Sequence, residues 1–575
     1  MRAETEISTS SSVDLDTQEA APVVIPQPWV RPRGRSSQPT CWWVVLLIMA
    51  LSAGVNVFAV LSTHLWVLPD SSQYIILAGG IADYGDFSHE YFLIRPPGYP
   101  LLLAAVFQLA GPQSPIVIQA LQHSMIVAIV ALTALIGWEL TARRSVALLA
   151  GFFTMLSPQL LSFADVIMPE IPYALCLTAA AYWLTRYNRR GKVFNLVVAS
   201  LLIGGSYLFR PMGLSLLAAC GLAVIRGVLR AKSSDRQSSK KSSALREAAQ
   251  RLNLRARRQP KRSFVIPKEV KRVIGRFAFH GGCAVLPCAL VIAPAAYHNR
   301  VTFGQDLTDR CAKMALYYRL LVMDRLDAPD SAALKDIRTT VAEARRRGAL
   351  PRYADDRQWG PVLKAFQSVK GMTLAETAGV IGEAADDVWR EHPRSVLENT
   401  ARYAWWMLLR PDSTYRFVPG GAAGKINALG ESVRDPKALI YDIATYRPML
   451  AGLIAPVQSY LPLTAAPTDA TPFRTKIVRA YHDFVEAGSA PAGLGDSLYE
   501  ELGYLCLLGM VIALLTRERF GWLLIIVVVA SQVLPSAFLA GPTPRYAVPL
   551  IPLLVLLATS PLTLLEKPSP DPAGG

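Results

Sequence analysis

The stretch Arg95-Pro96-Pro97-Gly98-Tyr99-Pro100-Leu101-Leu102-Leu103-Ala104-Ala105-Val106-Phe107-Gln108-Leu109-Ala110 decides how this chain meets a membrane. Counted as a spanning helix, it inverts every loop that follows. Counted as a helix lying at the interface, entered through Arg95 and its prolines, it leaves the basic loops together on one side. The second reading is consistent with the rest of the chain.

Ten other segments are apolar enough to cross: 41–62, 116–140, 146–163, 171–186, 193–209, 212–229, 277–297, 500–516, 520–539 and 546–562. A spanning helix needs about 20 largely apolar residues. Lipid leaves an isolated strand no backbone partners, so each segment is expected to be helical. The chain of 575 residues is 52% hydrophobic and 18% charged, with a mean hydropathy of +0.29. An all-α polytopic membrane protein of about ten helices is therefore expected, with no internal repeat evident. Residues 1–40, rich in Ser, Thr, Pro and acids, read as a disordered cytoplasmic tail. Arg31, Arg33 and Arg35 precede a first apolar run of 22 residues without a small-residue cleavage site. That run reads as an uncleaved anchor.

Loop charge sets the orientation. Arg143-Arg144, Arg186 to Lys192, and Arg517 with Arg519 all fall on the cytoplasmic side if the ten segments alternate. So does the stretch 226–276, whose 17 Lys or Arg against 3 acids give it +14 of the chain's total of +16. Phe264 is its one aromatic between 231 and 276. A solvated loop touching anionic lipid heads is expected there, and no nucleic acid. The expected plan is a module 41–229 whose exterior loop 63–115 carries the chemistry, the basic loop 230–276, and a helix 277–297. A mostly helical exterior region 298–497, C-terminal helices 498–562 and a cytoplasmic tail 563–575 follow. Residues 448–464 read as a further interfacial or paired helix.

Alternation gathers Asp70, Arg95, Glu170, Arg210, His298-Asn299-Arg300 and Arg545-Tyr546 on the exterior face, at or near helix ends. Ionisable groups near lipid are costly and mark function. Guanidinium groups at one interface suit a phosphate, which Arg grips bidentately. Single arginines there also serve as snorkelling anchors. Asp70 also reads as an N-cap for a surface helix bearing Tyr74, Ile75, Leu77, Ala78 and Ile81. Glu170 doubles as an N-terminal charge on its helix.

Several chemistries find no footing. Only Cys311 of the seven cysteines lies clearly in the long exterior region, so a disulfide framework there is excluded. No HExxH or CxxC occurs, nor any phosphate loop or dinucleotide fingerprint. His64 and His89 flank Asp70, but the ligand density is low. No cofactor is expected, and a divalent metal is unsupported.

Motif order carries a resemblance. After Asp70 come Leu77-Ala78, Gly85-Asp86-Phe87 and Arg95-Pro96-Pro97-Gly98-Tyr99-Pro100-Leu101. Then come Met168-Pro169-Glu170-Ile171-Pro172-Tyr173, Phe209-Arg210-Pro211, Pro294, Asn299-Arg300, Phe303-Gly304, and Arg545-Tyr546 with Pro549 and Pro552. Over 41–304 and 500–562 this resembles the GT-C superfamily of polytopic glycosyltransferases. It is most similar to the bacterial branch related to protein O-mannosyltransferases and lipid A aminoarabinose transferases. The resemblance implies a polyprenyl-phosphate sugar donor, a hydroxyl acceptor, inversion, and an inner-membrane enzyme acting at the exterior face. It implies that Asp70 is the general base or an acceptor-orienting carboxylate, that Arg95 meets the lipid phosphate, and that Glu170 is the second acid. Tyr74, Arg210, His298, Arg300, Arg545 and Tyr546 are then candidate substrate contacts. Two departures stand out. The mannosyltransferases pair Asp with Glu where this chain has Asp70-Ser71, and the lipid A enzymes carry Lys where it has Arg95. A transporter or lipid flippase is the alternative, but it would want ionisable residues at mid-bilayer and broken helices.

Overall fold

The computed structural model describes residues 42–62, 65, 69–111, 115–230, 268–304, 307–352, 354–409, 494–516, 519–541 and 546–565. They belong to one unit, Trp43–Gly575, apart from Trp42, which opens the first helix. Among them every regular element is helical, and the arrangement is all-α and polytopic.

In chain order the helices are α1 (Trp42–Ser62), α2 (Pro69–Tyr84), α3 (Gly98–Ala110), α4 (Pro115–Thr141), α5 (Arg144–Met155) and α6 (Pro158–Ala164). Next are α7 (Glu170–Arg190), α8 (Val193–Phe209), α9 (Pro211–Arg230, opened by a 3-10 turn) and α10 (Lys268–Phe303). A polar group follows: α11 (Leu307–Tyr318), α12 (Ala332–Arg346), α13 (Trp359–Lys370), α14 (Leu374–Glu391) and α15 (Pro393–Leu409). The chain ends with α16 (Leu494–Leu515), α17 (Arg519–Ala540) and α18 (Ile551–Ala558).

Among the described residues, five spans are long and apolar enough to cross a membrane, within α1, α4, α9, α10 and α17. Within the described residues the ten expected segments fall on helices, with breaks in two: 546–562 passes through a 3-10 turn, Val548–Leu550, into α18 and ends in a turn at 559–561. The segment 146–163 divides into α5 and α6, because Pro158 has no N–H to continue α5. Ser157 accepts from the Leu160 amide at 3.4 Å and opens α6. At 13 residues α3 reaches about 20 Å, too short for the roughly 30 Å hydrocarbon core. Helix α10 runs past the expected 277–297 at both ends. The basic stretch 231–267, the segment 448–464 and Arg545 lie outside the described residues.

Among the described residues two hydrophobic cores form. One joins α4, α7, α8, α9, α17 and α18 through Ile136, Leu177, Leu196, Cys220, Trp522 and Leu557, all essentially buried. The other fills the polar group α11–α15 with Leu320, Ile337, Val341, Phe366, Ile381 and Val388. Ile94, from the first loop, is part of that second core.

Two close approaches bear on the site. Gly98 opens α3 against the end of α8, where an added Cβ would lie 2.7 Å from the Leu208 carbonyl oxygen. Ser200 of α8 bridges two backbone groups one turn apart on α10. Its Oγ donates to the Ala284 carbonyl at 2.6 Å and accepts from the Cys288 amide at 3.0 Å. The bridge sits beside Pro287, which removes one ladder donor of α10.

Candidate active site

Helix α2 opens on Pro69, whose missing N–H is harmless at a helix start. Asp70 thus falls inside the first turn rather than at the cap. Residues 70, 73 and 74 share one face of the helix, and together they hold Arg95. The Arg95 Nη2 donates to Asp70 Oδ1 at 2.5 Å, and its Nε to Gln73 Oε1 at 2.7 Å. Its guanidinium lies 5.3 Å from the centre of the Tyr74 ring. The side chains remain 14% (Arg95) and 24% (Asp70) exposed, so this pair is reachable.

A second acid–arginine pair lies deeper. Glu170, the first residue of α7, accepts through Oε1 from Arg210 Nη2. Arg210 ends α8 in an extended conformation ahead of Pro211, as a residue before proline prefers. Its guanidinium stacks 4.7 Å from the centre of the Tyr546 ring. Glu170 has no exposed side-chain surface.

Tyr74 joins the two pairs. Burial pushes its hydroxyl up to about 12; Arg95 and Arg210 pull it down, and Asp70 and Glu170 push it up again. Tyr99, which follows Gly98 on α3, meets Tyr74 edge-on at 5.2 Å. The Tyr99 hydroxyl donates to Gln122 Oε1 at 2.9 Å, and Gln122 Nε2 donates to the Ala164 and Val166 carbonyls at 2.8 Å. On the same face of α4, His123 contacts Asp165 Oδ1 at 2.9 Å and Asn56 Oδ1 at 2.7 Å. Gln119 donates to Asp165 Oδ1 at 2.7 Å. This buried network fixes the 164–166 strip that leads into Met168-Pro169-Glu170.

Of the residues expected from sequence, Asp70, Tyr74, Arg95, Glu170, Arg210 and Tyr546 come together. His298 lies on α10, and its Nε2 donates to the Phe87 carbonyl at 3.0 Å, so it holds the loop that leads to Arg95. Arg300 is exposed in the last turn of α10 and joins neither ion pair. Arg545 lies outside the described residues. Gln73, Tyr99, Gln122 and the His123–Asp165 pair went unread. The polar stripe Gln119, Gln122, His123 on an otherwise apolar helix was the available signal. Among the described residues no group of His, Cys, Asp or Glu converges as a metal site.

Chemically, the site offers a reachable carboxylate beside a guanidinium, and a sealed pair behind them. Charged donors in such a site stabilise developing negative charge strongly. A carboxylate of this kind can take a hydroxyl proton.

No curated protein matches the chain. Solved structures overlap it loosely. ArnT from Cupriavidus metallidurans bound to undecaprenyl phosphate shares 12% identity at TM-score 0.34, over 91% of this chain and 79% of its own. Its apo state shares 13% at TM-score 0.34, over 88% and 77%. The archaeal oligosaccharyltransferase AglB from Archaeoglobus fulgidus, in complex with an inhibitory peptide and a dolichol-phosphate, shares 13% at TM-score 0.41. That overlap spans 91% of this chain and 50% of AglB. Overlaps this loose align no individual residue. A family model described as dolichyl-phosphate-mannose-protein mannosyltransferase matches residues 96–254. The match starts one residue after Arg95 and includes Tyr99, Glu170 and Arg210. Over that span the chain is similar to this mannosyltransferase family, in keeping with the GT-C resemblance carried by its motifs.

Proposed function

We propose that this protein is an integral-membrane glycosyltransferase that moves a sugar from a polyprenyl-phosphate donor to a hydroxyl acceptor, with inversion, at the exterior face. The observation that carries this reading is the convergence of Asp70–Arg95 and Glu170–Arg210 on Tyr74.

The chemistry follows from the charges. A lipid phosphate leaves readily once its growing charge is neutralised, and a guanidinium does so without changing its own protonation. The acceptor hydroxyl loses its proton to a carboxylate. Asp70 is the reachable one; Glu170 is sealed and already matched by Arg210. In-line displacement puts base and leaving phosphate on opposite faces of the sugar. The 2.5 Å pair must therefore open for the reaction, with Arg95 following the phosphate and Asp70 turning to the acceptor. Gln73, on the same turn, keeps Arg95 Nε oriented as it exchanges partners.

The test is transfer from a short-chain polyprenyl-phosphate sugar carrying a labelled sugar, in membranes holding the protein. Label moving to a second molecule supports the reading. Label that only crosses the bilayer, still attached to its lipid, points to a flippase and overturns it. Lipid analysis of cells without the protein names the sugar, because its donor should accumulate.

A further inference from the structure

We infer that the polar helical group α11–α15 is the template that keeps Arg95 facing Asp70, and that Glu90 and Ile94 are positioning residues acting through it. This rests on the transferase reading above.

Between the surface helix α2 and the interfacial helix α3, the chain makes one 3-10 turn, Glu90–Leu93. Arg95 follows it directly. The Arg95 amide donates to the Tyr91 carbonyl at 2.8 Å, so its backbone is part of that turn. The turn is a peg in the polar group at two points. Ile94, 6% exposed, is buried in the core formed by Leu320, Val341 and Ile381. Glu90 Oε2 accepts from the Leu374 amide at 3.1 Å, at the first residue of α14. A carboxylate there meets the positive end of the helix dipole and one of its unpaired amides.

A template must itself be fixed to the membrane helices. Arg319 does this from a fully buried position, paired with Asp324 at 3.2 Å. It donates to the Phe538 carbonyl near the end of α17, and to the Val396 carbonyl of α15 at 2.9 Å. Tyr403 donates to Asp324 Oδ1 at 2.6 Å and completes the joint. Arg95 is thus located relative to the membrane helices through α11–α15, in addition to the contacts of Gly98 on α8 and of His298 on Phe87. Side chains that must follow a moving phosphate need a backbone that does not move, and displacement of about 1 Å can cost roughly a hundredfold in rate.

The experiment uses the full-length protein with Glu90→Ala, Glu90→Gln and Ile94→Ala. Two readouts are taken: amide hydrogen exchange over 86–96, and transfer kinetics at varied donor. Glu90→Ala and Ile94→Ala should speed exchange of the Ile94 and Arg95 amides and lower turnover roughly tenfold to a hundredfold. Glu90→Gln, which keeps the acceptor, should restore most of both. Unchanged exchange in both alanine variants overturns the template, whatever the activity. Faster exchange with parental turnover overturns the positioning role. A parent inactive with every polyprenyl-phosphate donor overturns the transferase reading and the catalytic half of this one, while exchange still decides whether α11–α15 hold the loop.

Discussion

Asp70 and Glu170 are both carboxylates paired with arginine, yet burial gives them different work. Asp70 keeps 24% of its side-chain surface and Glu170 keeps none. Asp70→Asn should therefore leave the amount of folded protein near normal and cut transfer by roughly a hundredfold or more, as loss of a general base does. Glu170→Gln should instead lower the unfolding midpoint. It removes the charge that Glu170 sets against Arg210, and breaking a buried pair costs about 3–5 kcal/mol. If Asp70→Asn keeps most activity while folded Glu170→Gln has none, the base is Glu170. Arg95→Lys should retain part of the turnover and Arg95→Ala almost none, because a point charge still meets the phosphate while the fork to Asp70 and Gln73 is lost. Transfer at varied donor concentration separates the two effects. Arg95→Ala with parental donor dependence and turnover would make Arg95 an anchor only. The acids and arginines were legible in the sequence as types at helix ends. Their pairing was not, because 25 and 40 residues separate the partners and only packing chooses between them. His298 was read as a substrate contact for the same reason: nothing local shows that the Phe87 carbonyl is its partner.

At the scale of elements, α3 meets α8 in a tight backbone contact near the site. Gly98→Ala places a methyl 2.7 Å from the Leu208 oxygen, which is backbone and cannot step aside. The expected cost is about 1–3 kcal/mol in stability. Transfer should fall as well, since α3 carries Tyr99 away from Gln122; a midpoint and a turnover both equal to the parent's would refute the contact. Helix α14 carries a full capping box between Thr373 and Glu376. The Thr373 amide and hydroxyl hold the Glu376 carboxyl below its ordinary range. A lowered folded value means the contribution is complete above the ordinary carboxylate range and fades as pH falls through the folded value. Thr373→Ala should loosen the start of α14 at neutral pH. In acid, where the parent has already lost the contribution, the difference should narrow. Amide exchange at Glu376 and Thr377 measures both. Hydropathy missed the split between α5 and α6, since apolar composition runs across Leu156 while Pro158 alone decides the break.

Over the whole molecule, the expected orientation places loop 230–276 inside and the Asp70 loop outside. Single cysteines at Ser238 and Ser88, in a variant otherwise lacking them, report it in intact cells with an impermeant reagent. Labelling at 88 and not at 238 is expected; the reverse would turn the enzyme inside out and move its donor to the other leaflet. The helical kind of the apolar elements came from hydropathy, since lipid leaves a backbone few choices. The second core around α11–α15 did not, because Ile94 reaches it from more than 200 residues away.

The Ser200 hydroxyl ties α8 to α10 at Ala284 and Cys288, and ten residues, about 15 Å of helix, lead from there to His298. One hydroxyl therefore seats the helix whose far end clasps the Phe87 carbonyl behind Arg95. Ser200→Ala should loosen that seat, and faster amide exchange at Cys288 would show it.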